Sequence, residues 1–130
     1  MHREVTITAE AIDETALLRA RVLPTNMGAV IYFIGAVRDS ESGAAIKAID
    51  YEAFDKMARH QFELLFAQIE KRWPVQSIRL VHRIGRVDAG VPSLWVEVIA
   101  PHRGEAFAAC QWLIDEMKMV VPIWKKPMVT

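Results

Sequence analysis

Apolar positions recur along this chain at two periods, and the switches between them mark its elements. From Phe54 to Trp73 the residues Phe54, Ala58, Phe62, Leu65, Phe66, Ile69 and Trp73 fall three or four apart, the stripe of an amphipathic helix. Asp55 suits the positive end of that helix's dipole, and Pro74 stops it. A second stripe, Ala106, Phe107, Cys110, Leu113, Ile114, Met117 and Val121, predicts a last helix led in by Pro101-His102-Arg103-Gly104 and ended by Pro122. Between the two the period shortens. Ser77 to Val87 places Ile78, Leu80, His82 and Ile84 on one side of a strand, Gly90 to Pro92 turns the chain, and Ser93 to Ala100 returns as its hairpin-like partner.

The N-terminal half reads less regularly. Arg3 to Thr8 alternates as a short edge strand, and Ala9 to Leu23 is a helix candidate closed by Pro24 and the turn-like Thr25-Asn26. Gly28 to Val37 is an almost unbroken apolar run, which suits a strand buried on both faces, with Arg38 at its end. Asp39-Ser40-Glu41-Ser42-Gly43 reads as an exposed, mobile loop, and Ala45 to Ala53 returns to strand character. The order β-α-β-β-α predicts an α+β fold, two main helices packed on a largely antiparallel sheet. Neither linker nor repeat interrupts it, so residues 1–130 are expected to form one domain.

Composition adds constraints on partners. With 52% hydrophobic and 25% charged residues the chain has the material for a core. Sixteen Lys and Arg balance sixteen Asp and Glu, which argues against binding of nucleic acid or anionic membrane by overall charge; an anion site must come from local clustering. Neutrality at this apolar fraction also favours self-association. The single cysteine, Cys110, excludes a disulfide framework, and the absence of an apolar leader or membrane-length run points to a soluble protein of the reducing cytoplasm.

Local clustering of cations does occur. Arg38 closes a strand, His102-Arg103 joins strand to helix, Lys118 lies in a last helical turn, and Lys125-Lys126 follow it; such element ends are where functional residues gather. Lys118 borders the apolar stripe, so it either complements the helix dipole or is desolvated into a nucleophile or base. His102-Arg103 either grips an anion at a helix N-terminus or pairs with Glu105 or Asp115 at the surface. His82 reads as a satisfied half-buried histidine, and Cys110 as core. Trp124 is placed at a site mouth or as an anchor for the tail. Scattered histidines without ligand spacing disfavour a metal, and no Gly-rich phosphate loop is present. On residues alone, the expectation is an anionic small-molecule site, with dependence on a lysine left open.

Several blocks taken in order narrow this further. Gly28-Ala29-Val30 leads to Phe33-Ile34-Gly35-Ala36-Val37-Arg38; Tyr51-Glu52-Ala53-Phe54 precedes Met57-Ala58; then come His82-Arg83-Ile84-Gly85, His102-Arg103 with Ala106-Phe107, Asp115-Glu116-Met117-Lys118, and Pro122-Ile123-Trp124-Lys125-Lys126. The set resembles the large, catalytic subunit of molybdopterin synthase, from Gly28 to Lys126. The resemblance implies an α/β-hammerhead fold and a sulfurtransferase of molybdenum cofactor biosynthesis, which converts cyclic pyranopterin monophosphate to the molybdopterin dithiolene. It implies a small ubiquitin-like sulfur-carrier partner with a C-terminal Gly-Gly thiocarboxylate, and a heterotetramer built on a dimer of large subunits. It implies Lys118 and Lys125 as catalytic lysines, Arg38, His102 and Arg103 as ligands of the pterin and its phosphate, and Phe33 and Lys126 at the same pocket. No metal or redox cofactor is implied.

The chain departs from the family pattern at Pro127, where an acidic residue is usual, at its stop at Thr130, and at Pro101 before the His-Arg pair. The alternative expectation is therefore a non-catalytic homologue that binds the small subunit without turnover because of the shortened C-terminus. A weaker third reading is an unrelated phosphate-ester enzyme using His102 as general acid.

Overall fold

A computed structural model describes residues 1–130. Eight strands, β1 (His2–Thr8), β2 (Ala29–Ala36), β3 (Ser40–Glu41), β4 (Ala44–Ala53), β5 (Ser77–Arg83), β6 (Gly85–Asp88), β7 (Pro92–Ala100) and β8 (Ile123–Val129), alternate with three helices, α1 (Glu14–Arg19), α2 (Asp55–Arg72) and α3 (Arg103–Val120). One sheet runs β1-β5-β7-β2, parallel only between β1 and β5; in the second, β4 pairs antiparallel with β3, β6 and β8. The fold is α+β, and α2 and α3 are the two long helices expected.

Both stripes pack as their spacing requires. Phe62, Leu65, Phe66 and Ile69 of α2 and Ala106, Ala109, Leu113 and Met117 of α3 share one core with Ile78, Leu80, Leu94, Val96 and Val98 of the first sheet. Phe54 and Phe107, counted into those stripes, are instead 57% and 58% exposed: Phe54 precedes the helix as its cap, and Phe107 lies on the outer shoulder of α3. A smaller core of Val37, Ile46, Ile49 and Val87 holds the second sheet. No helix is long and apolar enough to cross a membrane.

Five expectations are corrected. The Ala9 to Leu23 helix shrinks to the six residues of α1, capped by Asp13 Oδ1 accepting from the Ala16 N–H; it buries no residue, and so short a helix has little to sustain it without a packed face. The Gly28 to Val37 run is not buried on both faces: within β2 only Ala29 is buried, and Ile34 is 44% exposed. The supposed loop Asp39–Gly43 is a hairpin in which Glu41 opposes Ala44 across Ser42 and Gly43, at φ 51° and 80°, the two positive values a two-residue turn of this kind demands. Ser77 to Val87 is two strands: at Gly85, φ 79°, the chain leaves the first sheet and joins the second as β6. The C-terminal residues, to which the pattern assigns no element, form β8 along β4, with Pro127 on a sheet edge where its missing N–H is tolerated.

Candidate active site

A concavity of about 920 Å³ that carries several of the predicted cations opens where the two sheets and the last turn of α3 meet. A cross-strand row forms one wall: Gly35 of β2 opposes Leu94 of β7, which opposes His82 of β5. Gly35 carries no side chain there because a Cβ would stand 3.3 Å from the Phe33 ring and 3.4 Å from Leu94. Met117, Lys118 and Val121 close the cavity from α3, while Ile49 and Tyr51 of β4 and Ile123, Trp124 and Lys125 of β8 line it from the second sheet. Arg38 and Glu41 complete the rim.

Of the residues singled out from sequence, Phe33, Arg38, Lys118 and Lys125 meet in this cavity. Lys118 is exposed, so of its two readings the desolvated one is not realised: Met117 before it turns into the core, and Lys118 lines the opening. Lys126, the next residue along β8, does not line the cavity. His102 and Arg103 lie at the far end of α3, about 22 Å from Lys118 at about 1.5 Å of rise per residue. His102 Nδ1 is 2.9 Å from Glu105 Oε1, whereas Arg103 makes no ion pair, with Glu105 or any other acid. Trp124 does stand at the mouth, half exposed, edge-on to Phe54 with ring centroids 4.8 Å apart.

Sequence reasoning missed Glu41, Tyr51 and Ser93. Lys125 Nζ donates to Glu41 Oε1 at 2.6 Å, and Arg38 Nη2 lies 3.8 Å from Oε2. The hydrogen bond from Lys125 holds the Glu41 carboxyl below the usual carboxylate range. Tyr51 OH donates to Ser93 Oγ at 3.2 Å, and Ser93 Oγ donates to the Gly35 carbonyl at 3.4 Å, tying β4 to the cavity wall. Only the i,i+3 spacing of Arg38 and Glu41 could have signalled the acid. Cys110 is core, its thiol pushed up to about 11 by burial, and it stays protonated at neutral pH.

His82 is buried, its Nδ1 bonded at 2.8 Å to the Arg83 carbonyl and its ring edge-on to Tyr51. Burial holds its imidazole below the usual 6.5, outweighing the opposing pull of that carbonyl. An unfolded chain therefore takes up a proton at a pH where the folded one does not. Its contribution to stability is complete above 6.5 and is lost as pH falls from there toward the lower folded value. Urea unfolding at about pH 7.5 and about pH 5.5 is expected to show a lower midpoint at the acid pH, and a smaller drop in His82→Gln.

Two lysines and an arginine outnumber Glu41 along this lining, which makes the cavity net positive on an α+β scaffold. Comparison with known proteins makes the class specific. The family model described as MoaE protein matches residues 7–120, so the chain belongs to the MoaE protein family. A molybdopterin synthase catalytic subunit from Pyrococcus abyssi is 38% identical over 82% of this chain and 72% of its own length. One of the same name from Vibrio cholerae is 32% identical over 100% of this chain and 87% of its own. The crystal structure of molybdopterin synthase from Staphylococcus aureus superposes with a TM-score of 0.85 at 32% identity, covering 98% of this chain and 90% of that one.

Proposed function

We propose that this protein is the catalytic subunit of a molybdopterin synthase, acting in molybdenum cofactor biosynthesis. It transfers sulfur from the C-terminal thiocarboxylate of a small Gly-Gly-ending subunit to cyclic pyranopterin monophosphate, forming the dithiolene. The observation that carries this reading is the meeting of Lys118, from α3, and Lys125, from β8, in one cavity with Arg38. Two lysines from separate elements supply ammonium donors for oxygen leaving groups and for the oxyanion formed as the acyl–sulfur bond is consumed. Arg38 offers a fork to phosphate, and Phe33 lends a flat apolar surface to the pterin.

His102 and Arg103 fit this reading through a second copy. One chain cannot bring the N-terminus of α3 to the cavity at its C-terminus, so the pair serves a partner protomer's cavity in a homodimer. Lys126, on β8 outside the cavity lining, acts at the rim of the subunit contact rather than in the chemistry.

Incubation of the chain with the thiocarboxylated small subunit and the pyranopterin is expected to yield molybdopterin. No product, with the small subunit still captured, would overturn the enzyme in favour of a binding homologue; turnover without a small subunit would overturn the sulfur-transfer reading altogether.

A further inference from the structure

Glu41 holds the place an anionic ligand would take. Its side chain is 17% exposed although the cations that grip it, Arg38 and Lys125, are 77% and 51% exposed. The acid is thus the inner member of the cluster and the cations its outer shell, the reverse of an ordinary surface pair. Its two oxygens face the two cations separately, Oε1 toward Lys125 and Oε2 toward Arg38, as a bound carboxylate or phosphate would divide its own. The tight Ser42–Gly43 turn keeps it there, because the β3 register against β4 fixes the backbone of Glu41 opposite Ala44.

We propose that Glu41 is a specificity-determining internal counter-ion: it occupies the oxyanion subsite of the cavity and must be displaced by the ligand's own anion. The proposal rests on reading the cavity as an anionic-substrate site, and not on sulfur transfer. A second oxyanion at Lys125 would lie within a few ångström of the carboxylate, and like charges at such a separation exclude one another. Ligand and Glu41 therefore compete for the same donors. Glu41 needs only a change of its own rotamer to leave, since it stands on a two-residue strand at a hairpin tip. Weak ambient anions fail to displace it; an anion held elsewhere by the rest of its molecule succeeds. The competing group is an oxyanion, either a phosphate ester or the terminal carboxylate of an extended peptide.

Calorimetric titration of the full chain with inorganic phosphate, and separately with a short peptide ending in a free Gly-Gly carboxylate, separates these sources. Glu41→Gln keeps the shape of the side chain and an acceptor for Lys125 while removing the charge. It is expected to bind at least one probe about tenfold more tightly at low ionic strength, the effect of removing one adjacent like charge, and the probe that tightens names the group displaced. Glu41→Ala should tighten the same probe. Equal or weaker binding of both probes by both variants would overturn the proposal, as would tightening that persists when Lys125→Ala is combined with Glu41→Gln. None of these readings requires turnover, so failure to form molybdopterin leaves this test standing on its own.

Discussion

Lys118→Ala and Lys125→Ala are each expected to lower molybdopterin formation by about 100-fold or more while leaving the fold intact, the loss usual when a positioned proton donor or an oxyanion-stabilising cation is removed. Neither lysine contributes to a core: Lys118 is exposed in the last turn of α3 and Lys125 is half exposed on β8. Thermal unfolding should therefore move little. The two variants should nonetheless differ. Lys125→Ala also strips Glu41 of its shortest partner, leaving a carboxylate in the cavity that repels the substrate's own charge, whereas Lys118 has no acidic partner to orphan. We expect Lys125→Ala to raise KM as well as lower kcat, and Lys118→Ala to act mainly on kcat. Arginine at either position restores charge but not geometry and should recover only part of the rate. Single-turnover assays with saturating thiocarboxylated partner give the comparison. Activity within about threefold of native in both variants would remove the lysines from the chemistry.

Helical periodicity made α2 and α3 legible, since each has a polar face in water and an apolar face on a sheet. Strand periodicity did not reveal that there are two sheets. His82 and Val87 lie in one alternating run, yet Gly85 sends them to different sheets, and only its positive φ marks the change. The tail was opaque for a related reason: β8 is an exposed edge strand whose Lys-Lys-Pro centre carries no apolar alternation, and its order comes from ten-residue β4 beside it. Four candidate site residues, Phe33, Arg38, Lys118 and Lys125, converge because their blocks end at the same corner of the fold. Glu41 could not be found by sequence because a polar stretch rich in Ser and Gly looks alike whether it is a free loop or a tight hairpin that delivers one carboxylate. His102 and Arg103 were grouped with the lysines by charge, and the length of α3 separates them.

Glu97→Ala is expected to cost the fold about 3–5 kcal/mol, the penalty for leaving a buried charge without its partner. Glu97 sits mid-strand on β7 at 1% exposure, opposite Arg79 of β5 at 7%. Arg79 donates to it twice, Nε to Oε1 and Nη2 to Oε2, each at 2.7 Å, and Tyr32 OH donates to Oε2 at 2.8 Å. The guanidinium also donates to the Leu17 carbonyl at 2.8 Å and lies 5.0 Å from the Trp95 ring centroid, so the pair ties α1 and the Tyr32 side chain of β2 to the face of the sheet away from α2 and α3. Removing the carboxylate leaves Arg79 held in place by Trp95 and Leu17, with only Glu4 across from it on β1, outside ion-pair distance, as a counter-charge. Tyr32 loses its acceptor at the same time. Against a typical stability of about 5–15 kcal/mol, about a fifth or more of the total is at stake, and the urea midpoint should fall accordingly. Replacing both ions, Arg79→Met with Glu97→Leu, should cost far less than Glu97→Ala alone, because an apolar pair of similar volume carries no desolvation penalty. If the double variant is the less stable of the two, the bidentate pair contributes more by its attraction than it loses by burial, and it rather than α1's own six-residue helix fixes the N-terminal segment to the sheet.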